Sequence, residues 1–250
     1  MKLLLDIGNS RIKLATLTDD GLVVYEPLAV TSDCHARLQQ LITPLADRLA
    51  ACVASSVASQ ALNGAVEQVI APLPIHWARS QREAGGIVNG YPDPTQLGVD
   101  RWVSMLGLAH HFAQPHPPLV LASFGTATTI DTLSPENRFE GGLILPGITM
   151  MHQALARGTA NLPESRGALD AFPTNTVSAI SSGVVAAQVG AVARQMVFTS
   201  ERFDQTPILC VTGGARDTLM QALAASLPDH EIRELPHIVL EGLGVLATKI

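Results

Sequence analysis

Aromatic side chains are scarce: Phe, Trp and Tyr make up 4% of the 250 residues, so any core must be aliphatic, built from Leu, Val, Ile and Ala. Charge is sparse as well, 15% against 47% hydrophobic residues, which excludes a disordered chain and leaves ample material for one large or two compact cores. Basic residues number 16 against 22 acidic, and the net charge of −6 gives no electrostatic footprint for DNA or RNA, whose affinity rests on clustered Lys and Arg. Cysteine is nearly absent. Cys34, Cys52 and Cys210 are far apart, odd in number and without zinc-ligand spacing, so they read as reduced packing residues. No run approaches the roughly 18 uncharged apolar residues of a membrane helix, and MKLLLD is too short for an export signal; no membrane partner is expected, and the cytoplasm is the expected compartment. There is no GxxxxGKS/T loop and no HRD triplet, which removes the P-loop and protein-kinase architectures. His110 and His111 are adjacent, hence on different helix faces, and form no metal motif.

What is present reads as α/β. Leu3-Leu4-Leu5 is a short buried strand, Asp6-Ile7-Gly8-Asn9-Ser10 carries turn formers, and Arg11-Ile12-Lys13-Leu14 alternates like a half-buried strand. Helices are expected over 34–50 and 58–71, with strands at AACVASSV and Ile75-His76-Trp77. Residues 80–98, rich in Gly, Pro, Asn and Asp, read as a long binding loop, and a helix starts near Asp100. Gln114-Pro115-His116-Pro117-Pro118 marks a junction. At Leu119 the opening pattern returns: LASFGTATTID aligns with LLDIGNSRIKL, Gly125 on Gly8, Thr126 on Asn9, Ala127 on Ser10. Further helices are expected at 177–200, 215–226 and through GLGVLATKI, with a strand at Pro207–Val211. The repeat divides the chain into 1–115 and 116–250, a duplicated α/β domain with a cleft between copies.

Three glycine turns suit a nucleotide. Around Gly8, backbone N–H groups approach an anion, Asn9 and Ser10 add donors, Arg11 or Lys13 adds charge, and Asp6 holds Mg²⁺ against the triphosphate. The plainer reading is a surface hairpin satisfying its own turn. Ser123-Phe124-Gly125-Thr126-Ala127-Thr128-Thr129-Ile130-Asp131 presents a second such turn, and Val211-Thr212-Gly213-Gly214 a third that admits adenosine. Two facing strand-turn-strand loops belong, by analogy, to the actin/hexokinase/Hsp70 (acetate and sugar kinase) superfamily. Gly98-Val99-Asp100-Arg101 is the segment for chemistry: Asp100 accepts or orients an alcohol proton and Arg101 holds negative charge, or else Asp100 is simply the N-cap of its helix. Gly141–Gly147 reads as a flexible turn, a strand and a second turn, with structural use favoured.

With those residues in hand, the chain resembles the type III pantothenate kinases, a family that includes Bvg accessory factor proteins. DIGNS, GVDR, FGTATTID, GGLILPG and TGG occur in that family's order from residue 6 to residue 214. The resemblance implies two ribonuclease-H-like domains with an interdomain cleft, a homodimer, and phosphorylation of pantothenate by ATP with Mg²⁺, the first step of coenzyme A biosynthesis. It implies ATP contacts from Asp6, Ile7, Gly8, Asn9, Ser10, Arg11, Ile12, Lys13 and Thr126. It also implies a pantothenate site, partly built at the dimer interface, from Tyr91, Gly98, Val99, Asp100, Arg101 and Thr176, with Asp100 as base. Tyr91 and Thr176 enter through the resemblance alone. Many members carry an Asp that helps bind an activating K⁺ or NH₄⁺ where this chain has Ser123. A neutral hydroxyl is a weak ligand, so either no such cation is needed or another oxygen replaces the lost one. The competing expectation is a nucleotide-binding regulatory accessory protein without kinase turnover; intact Asp6, Asp100 and Arg101 argue against it.

Overall fold

The computed structural model describes all 250 residues, which divide into two compact units. Unit 1 is Met1–Gln114 with Asn137–Phe139 and His237–Ile250; unit 2 is Pro115–Glu136 with Glu140–Pro236. The main division falls in the proline-rich junction, where Pro removes backbone donors and ends the preceding helix.

Unit 1 opens with β1 (Lys2–Ile7), β2 (Arg11–Thr18) and β3 (Gly21–Ala29), an antiparallel meander. It continues with α1 (Cys34–Ile42), β4 (Ala51–Ser56), α2 (Gln60–Ile70) and β5 (Ile75–Trp77). β4 pairs in parallel with β1, and β5 in parallel with β4, giving the order β3-β2-β1-β4-β5. Alternation along β1 sets both cores. Leu3, Leu5 and Ile7 pack with Leu38, Val66 and Ile70 of α1 and α2, while Leu4 points the other way, toward Val103, Leu240 and Leu243. Those last three belong to α3 (Val99–His111) and α7 (Ile238–Ala247). Gly107 and Gly242 let the two helices touch backbone to backbone, since a methyl at either would overlap the other helix. That contact is why the final helix belongs to unit 1, although the sequence reading set 116–250 together.

The segment read as one long loop contains β6 (Glu83–Ala84) and β7 (Ile87–Asn89), an antiparallel hairpin turned by Gly85 and Gly86, both at positive φ. Such a turn needs left-handed backbone at both positions, and glycine supplies it. Arg138 and Phe139 pair in parallel with Val88 and Asn89. The helix expected over 34–50 stops at Ile42, and Thr43–Arg48, with Pro44 near its start, continues as a 3₁₀ turn.

Unit 2 repeats the plan. β8 (Leu119–Phe124) and β9 (Ala127–Leu133) form an antiparallel hairpin, and β10 (Arg138–Pro146) follows. α4 (Ile148–Gly158), α5 (Thr176–Phe203), β11 (Ile208–Thr212), α6 (Arg216–Ser226) and β12 (Ile232–Glu234) complete it. β11 pairs in parallel with β8 and β12 with β11, so the order β10-β9-β8-β11-β12 mirrors unit 1 strand for strand. The core packs Val120, Ala122 and Phe124 of β8 against Val184, Val192 and Met196 of α5 and Leu219 of α6.

Two expectations are corrected here. Gly141 and Gly142 lie inside the continuous strand β10 and form no flexible turn. α5 is long and apolar enough, by length and composition, to cross a membrane, where the sequence reading found no such run. Its apolar face is spent on the core of unit 2, and its buried Gln188 donates to Pro146 O at 2.8 Å.

Candidate active site

Strand alternation puts Asp6 on the face of β1 that carries Leu4, the side covered by α3 and α7. Its carboxylate is buried: Oδ1 accepts from Ser55 Oγ at 3.0 Å and Oδ2 lies 3.2 Å from Lys13 Nζ. Both partners are register neighbours, Lys13 across β2 and Ser55 across β4. A hard oxygen ligand oriented in this way fits a divalent ion that keeps most of its waters and takes one carboxylate from the protein.

The turn after Asp6 is closed by Gly8 N–H donating to Arg11 O at 3.0 Å, so that amide is committed to the hairpin. Asn9 Nδ2 donates to Val57 O at 3.4 Å, tying the turn to the end of β4. Ile7 and Ile12 are fully buried in the core, so their side chains fix the base of the turn and only their backbone can meet a ligand. Asn9, Ser10 and Arg11 are exposed.

α3 begins directly after Gly98, which is its N-cap residue without a side-chain cap. Asp100 is therefore the second residue of the helix, and the reading of Asp100 as N-cap is corrected. A methyl on Gly98 would lie 2.8 Å from Asp100 Oδ1, so the glycine clears the space the carboxylate occupies. Burial pushes the Asp100 carboxyl above the usual carboxylate range; a backbone amide bond at Arg101 opposes the shift, the charge of Asp6 adds to it, and the Arg101 guanidinium opposes it. Asp6 and Asp100 thus feel each other within one unit. Arg101 is buried; its Nη1 donates to Tyr91 Oη at 3.2 Å, and its guanidinium lies 5.6 Å from the Phe139 ring centre. Tyr91 also meets Phe139, ring centres 5.7 Å apart. Tyr91, Arg101 and Asp100 form one cluster, although residue properties alone gave no reason to choose Tyr91. Val99 packs partly buried against the α3/α7 core.

In unit 2, Gly125 N–H donates to Ala127 O at 3.1 Å, and Thr126 is exposed on the turn. Two glycines brace that turn from behind. Gly213, at φ +95°, leaves no room for a side chain against the Phe124 backbone, and Ala215 N–H donates to Phe124 O at 3.1 Å. A methyl on Gly147 would overlap Gly125 O and Thr126 O, and the Gly147 N–H donates to Thr126 O at 3.1 Å. TGG and GGLILPG thus converge on FGTAT, which their separation along the chain did not reveal. Ser123 is paired with Thr129 on β9 and Thr212 on β11, so no carboxylate stands beside it in the register.

Thr176 is the first residue of α5, behind the N-cap Asn175, whose side chain accepts from Ser178 N–H at 2.9 Å. It lines an apolar cavity of about 630 Å³ with Pro146, Met151, Leu155, Leu162 and Ile180. It belongs to unit 2, and the Tyr91–Asp100–Arg101 cluster to unit 1.

Comparison with known proteins bears on the fold and the family. The structure of a putative 2-dehydro-3-deoxygalactonokinase from Sinorhizobium meliloti is similar with a TM-score of 0.59 and 16% identity, over 100% of this chain and 99% of that one. The activator of the 2-hydroxyisocaproyl-CoA dehydratase from Clostridium difficile, solved with bound ADPNP, is similar with a TM-score of 0.54 and 11% identity, over 98% and 92%. At that identity the likeness carries the fold alone, that of two ribonuclease-H-like domains. In sequence, a type III pantothenate kinase of Bordetella petrii is 42% identical, covering 100% of this chain and 98% of its own length. The model of type III pantothenate kinases matches residues 2–197, a span holding both hairpins, the Gly98–Arg101 segment and Thr176, and on these two counts the chain belongs to the type III pantothenate kinase family.

Proposed function

We propose that this chain transfers the γ-phosphoryl group of ATP to the hydroxyl of pantothenate, giving ADP and 4′-phosphopantothenate, the first step toward coenzyme A. The observation that carries the mechanism is the Asp100 carboxylate, seated at the start of α3 beside Gly98 with its affinity for a proton raised by burial. A base poised nearer neutral pH is what removal of an alcohol proton asks for, since phosphoryl transfer otherwise needs positioning and charge stabilisation. The acceptor oxygen gives its proton to Asp100 as its bond to γ-phosphorus forms, and the bond to the bridging oxygen of ADP breaks. Arg101 and Tyr91, already hydrogen-bonded, suit the substrate's carboxylate and polar groups.

The turn at Gly8–Arg11 and Lys13, with the second turn at Thr126, serves the ATP phosphates. Asp6 is the residue placed to hold Mg²⁺, which when bound neutralises the triphosphate. Thr176 is a further pantothenate contact, contributed across a homodimer interface; exposed Ile144, Met150 and Phe172 of unit 2 support such a surface. The compartment is the cytoplasm, where ATP is supplied.

The test is ADP release by the purified protein with ATP and Mg²⁺, with and without pantothenate, in K⁺, NH₄⁺ and Na⁺ buffers. Turnover that depends on pantothenate is the expected result. Folded protein that binds ATP yet turns over nothing in any buffer would sink the reading.

A further inference from the structure

We infer that Arg82 is a positioning residue for the acceptor side of the site: it sets the loop that presents Tyr91 to Arg101. This rests on the function proposed above. Arg82 opens the hairpin arm before β6, and its guanidinium is spent on backbone carbonyls of one short stretch. Nη1 donates to Asn89 O at 3.0 Å and to Tyr91 O at 2.8 Å, and Nη2 donates to Pro92 O at 2.6 Å. Three carbonyls converging on one planar fork fix the path of residues 89–92 as a unit.

The same stretch is held from inside by Asn89, which is wholly buried. Its Nδ2 donates to Gln81 O at 3.3 Å, its Oδ1 accepts from Tyr91 N–H at 3.0 Å, and its backbone N–H donates to Arg82 O at 2.8 Å. Arg82 and Asn89 thus clasp Tyr91 by its main chain, while its ring rests on Phe139 and its hydroxyl takes Nη1 of Arg101. The chain of contacts runs from Arg82 through the Tyr91 backbone and hydroxyl to Arg101, next to Asp100. None of it touches the Gly8 turn. Loosening Arg82 therefore misplaces the acceptor's binding groups and leaves the nucleotide side as it was.

The experiment is steady-state kinetics of Arg82→Gln and Arg82→Lys beside wild type, varying pantothenate and ATP separately, with thermal unfolding of each protein. Arg82→Gln should raise KM for pantothenate roughly tenfold, with KM for ATP and kcat at saturation within about twofold. Arg82→Lys, which keeps the charge and loses the fork, should raise it by a smaller factor of about three. If Arg82→Gln does not fold, the lysine variant is read on the same split. Unchanged KM for pantothenate, or KM for ATP rising in parallel, overturns the positioning role while the kinase function stands. Wild-type protein without pantothenate-dependent turnover overturns the function itself, and this role with it.

Discussion

At matching places in the two sheets, Asp6 stands between Lys13 and Ser55, whereas Ser123 stands between Thr129 and Thr212. Both sit one residue before the last residue of their strand, and both strands are followed by a glycine whose N–H closes the turn. The frame is the same and the chemistry differs. In unit 1 the turn is charged and pinned by side chains: the Asp6–Lys13 pair, the Ser55 hydroxyl and the Asn9 amide. In unit 2 it is uncharged at this position and pinned by backbone, through glycines that let Gly147 and Gly213 lie against it. A duplicated fold has thus kept two matching turns while placing a buried carboxylate beside only one of them. Asp100, also in unit 1, senses Asp6 and is half-buried, whereas Asp217, the second residue of α6, is exposed beside Arg216, which bonds Gly213 O.

The sharpest way to break this comparison is to neutralise the carboxylates of unit 1. Asp100→Asn should lower kcat by roughly 10²–10⁴, the usual worth of a general base, with KM for ATP little changed. Asp6→Asn should lower kcat/KM on the order of 10² and weaken its Mg²⁺ dependence, as loss of one electrostatic group at a developing charge does. Steady-state rates over a Mg²⁺ series check both. Equal losses on replacing Ser123 would erase the distinction between the two turns.

Asp100 also has a stability signature. Its folded-state affinity for a proton is raised, by burial first and by Asp6 as well. The neutral form is therefore the one the fold prefers. Its contribution is fully present below the pKa of an unfolded Asp, about 4, and is lost as pH rises through the higher folded value. Asp100→Asn, neutral throughout, should melt above wild type near pH 7 and lose that advantage as the pH falls toward 3. Melting curves across that range decide it; a variant less stable than wild type at neutral pH would mean the ionised carboxylate is held favourably after all.

Bracing by backbone against bracing by side chain predicts unequal glycine tolerance. Gly213→Ala puts a methyl into the Phe124 backbone at a left-handed φ and should cost about 3 kcal/mol or more. At Gly8 an added methyl meets only Arg11 O, at 3.2 Å, and should cost about 1 kcal/mol. Denaturant unfolding measures the difference, and similar losses would contradict it.

The hairpins were legible because turn chemistry and period-2 alternation are local: DIGNS and FGTAT announce strand, turn and strand within a dozen residues. The helix behind Asp100 was legible for the same reason. What local pattern could not give was who touches whom. Tyr91 meets Arg101 through a fold-back of the β6–β7 hairpin, whose strands of two and three residues are too short to show alternation. β3 and α4 escaped as well: β3 mixes exposed and half-buried positions, and α4 follows directly on a strand and a glycine. α7 joins unit 1 because Gly242 meets Gly107 across 135 residues of chain, a long-range fit that composition does not encode.

Ser123 gives the smallest and most discriminating test. Its neighbours in the sheet are hydroxyls, so the site offers oxygen ligands without charge, and a monovalent cation binds weakly where no carboxylate offsets its desolvation. Ser123→Ala should change kcat and KM for ATP by less than about threefold, the range of a single weak hydrogen bond, in K⁺, NH₄⁺ and Na⁺ alike. Ser123→Asp supplies the missing charge between Thr129 and Thr212 and should make turnover depend on which cation is present. If wild type already responds strongly to K⁺ or NH₄⁺ and Ser123→Ala removes that response, the hydroxyl is a ligand after all, and the charge difference between the two turns matters less than their shared frame.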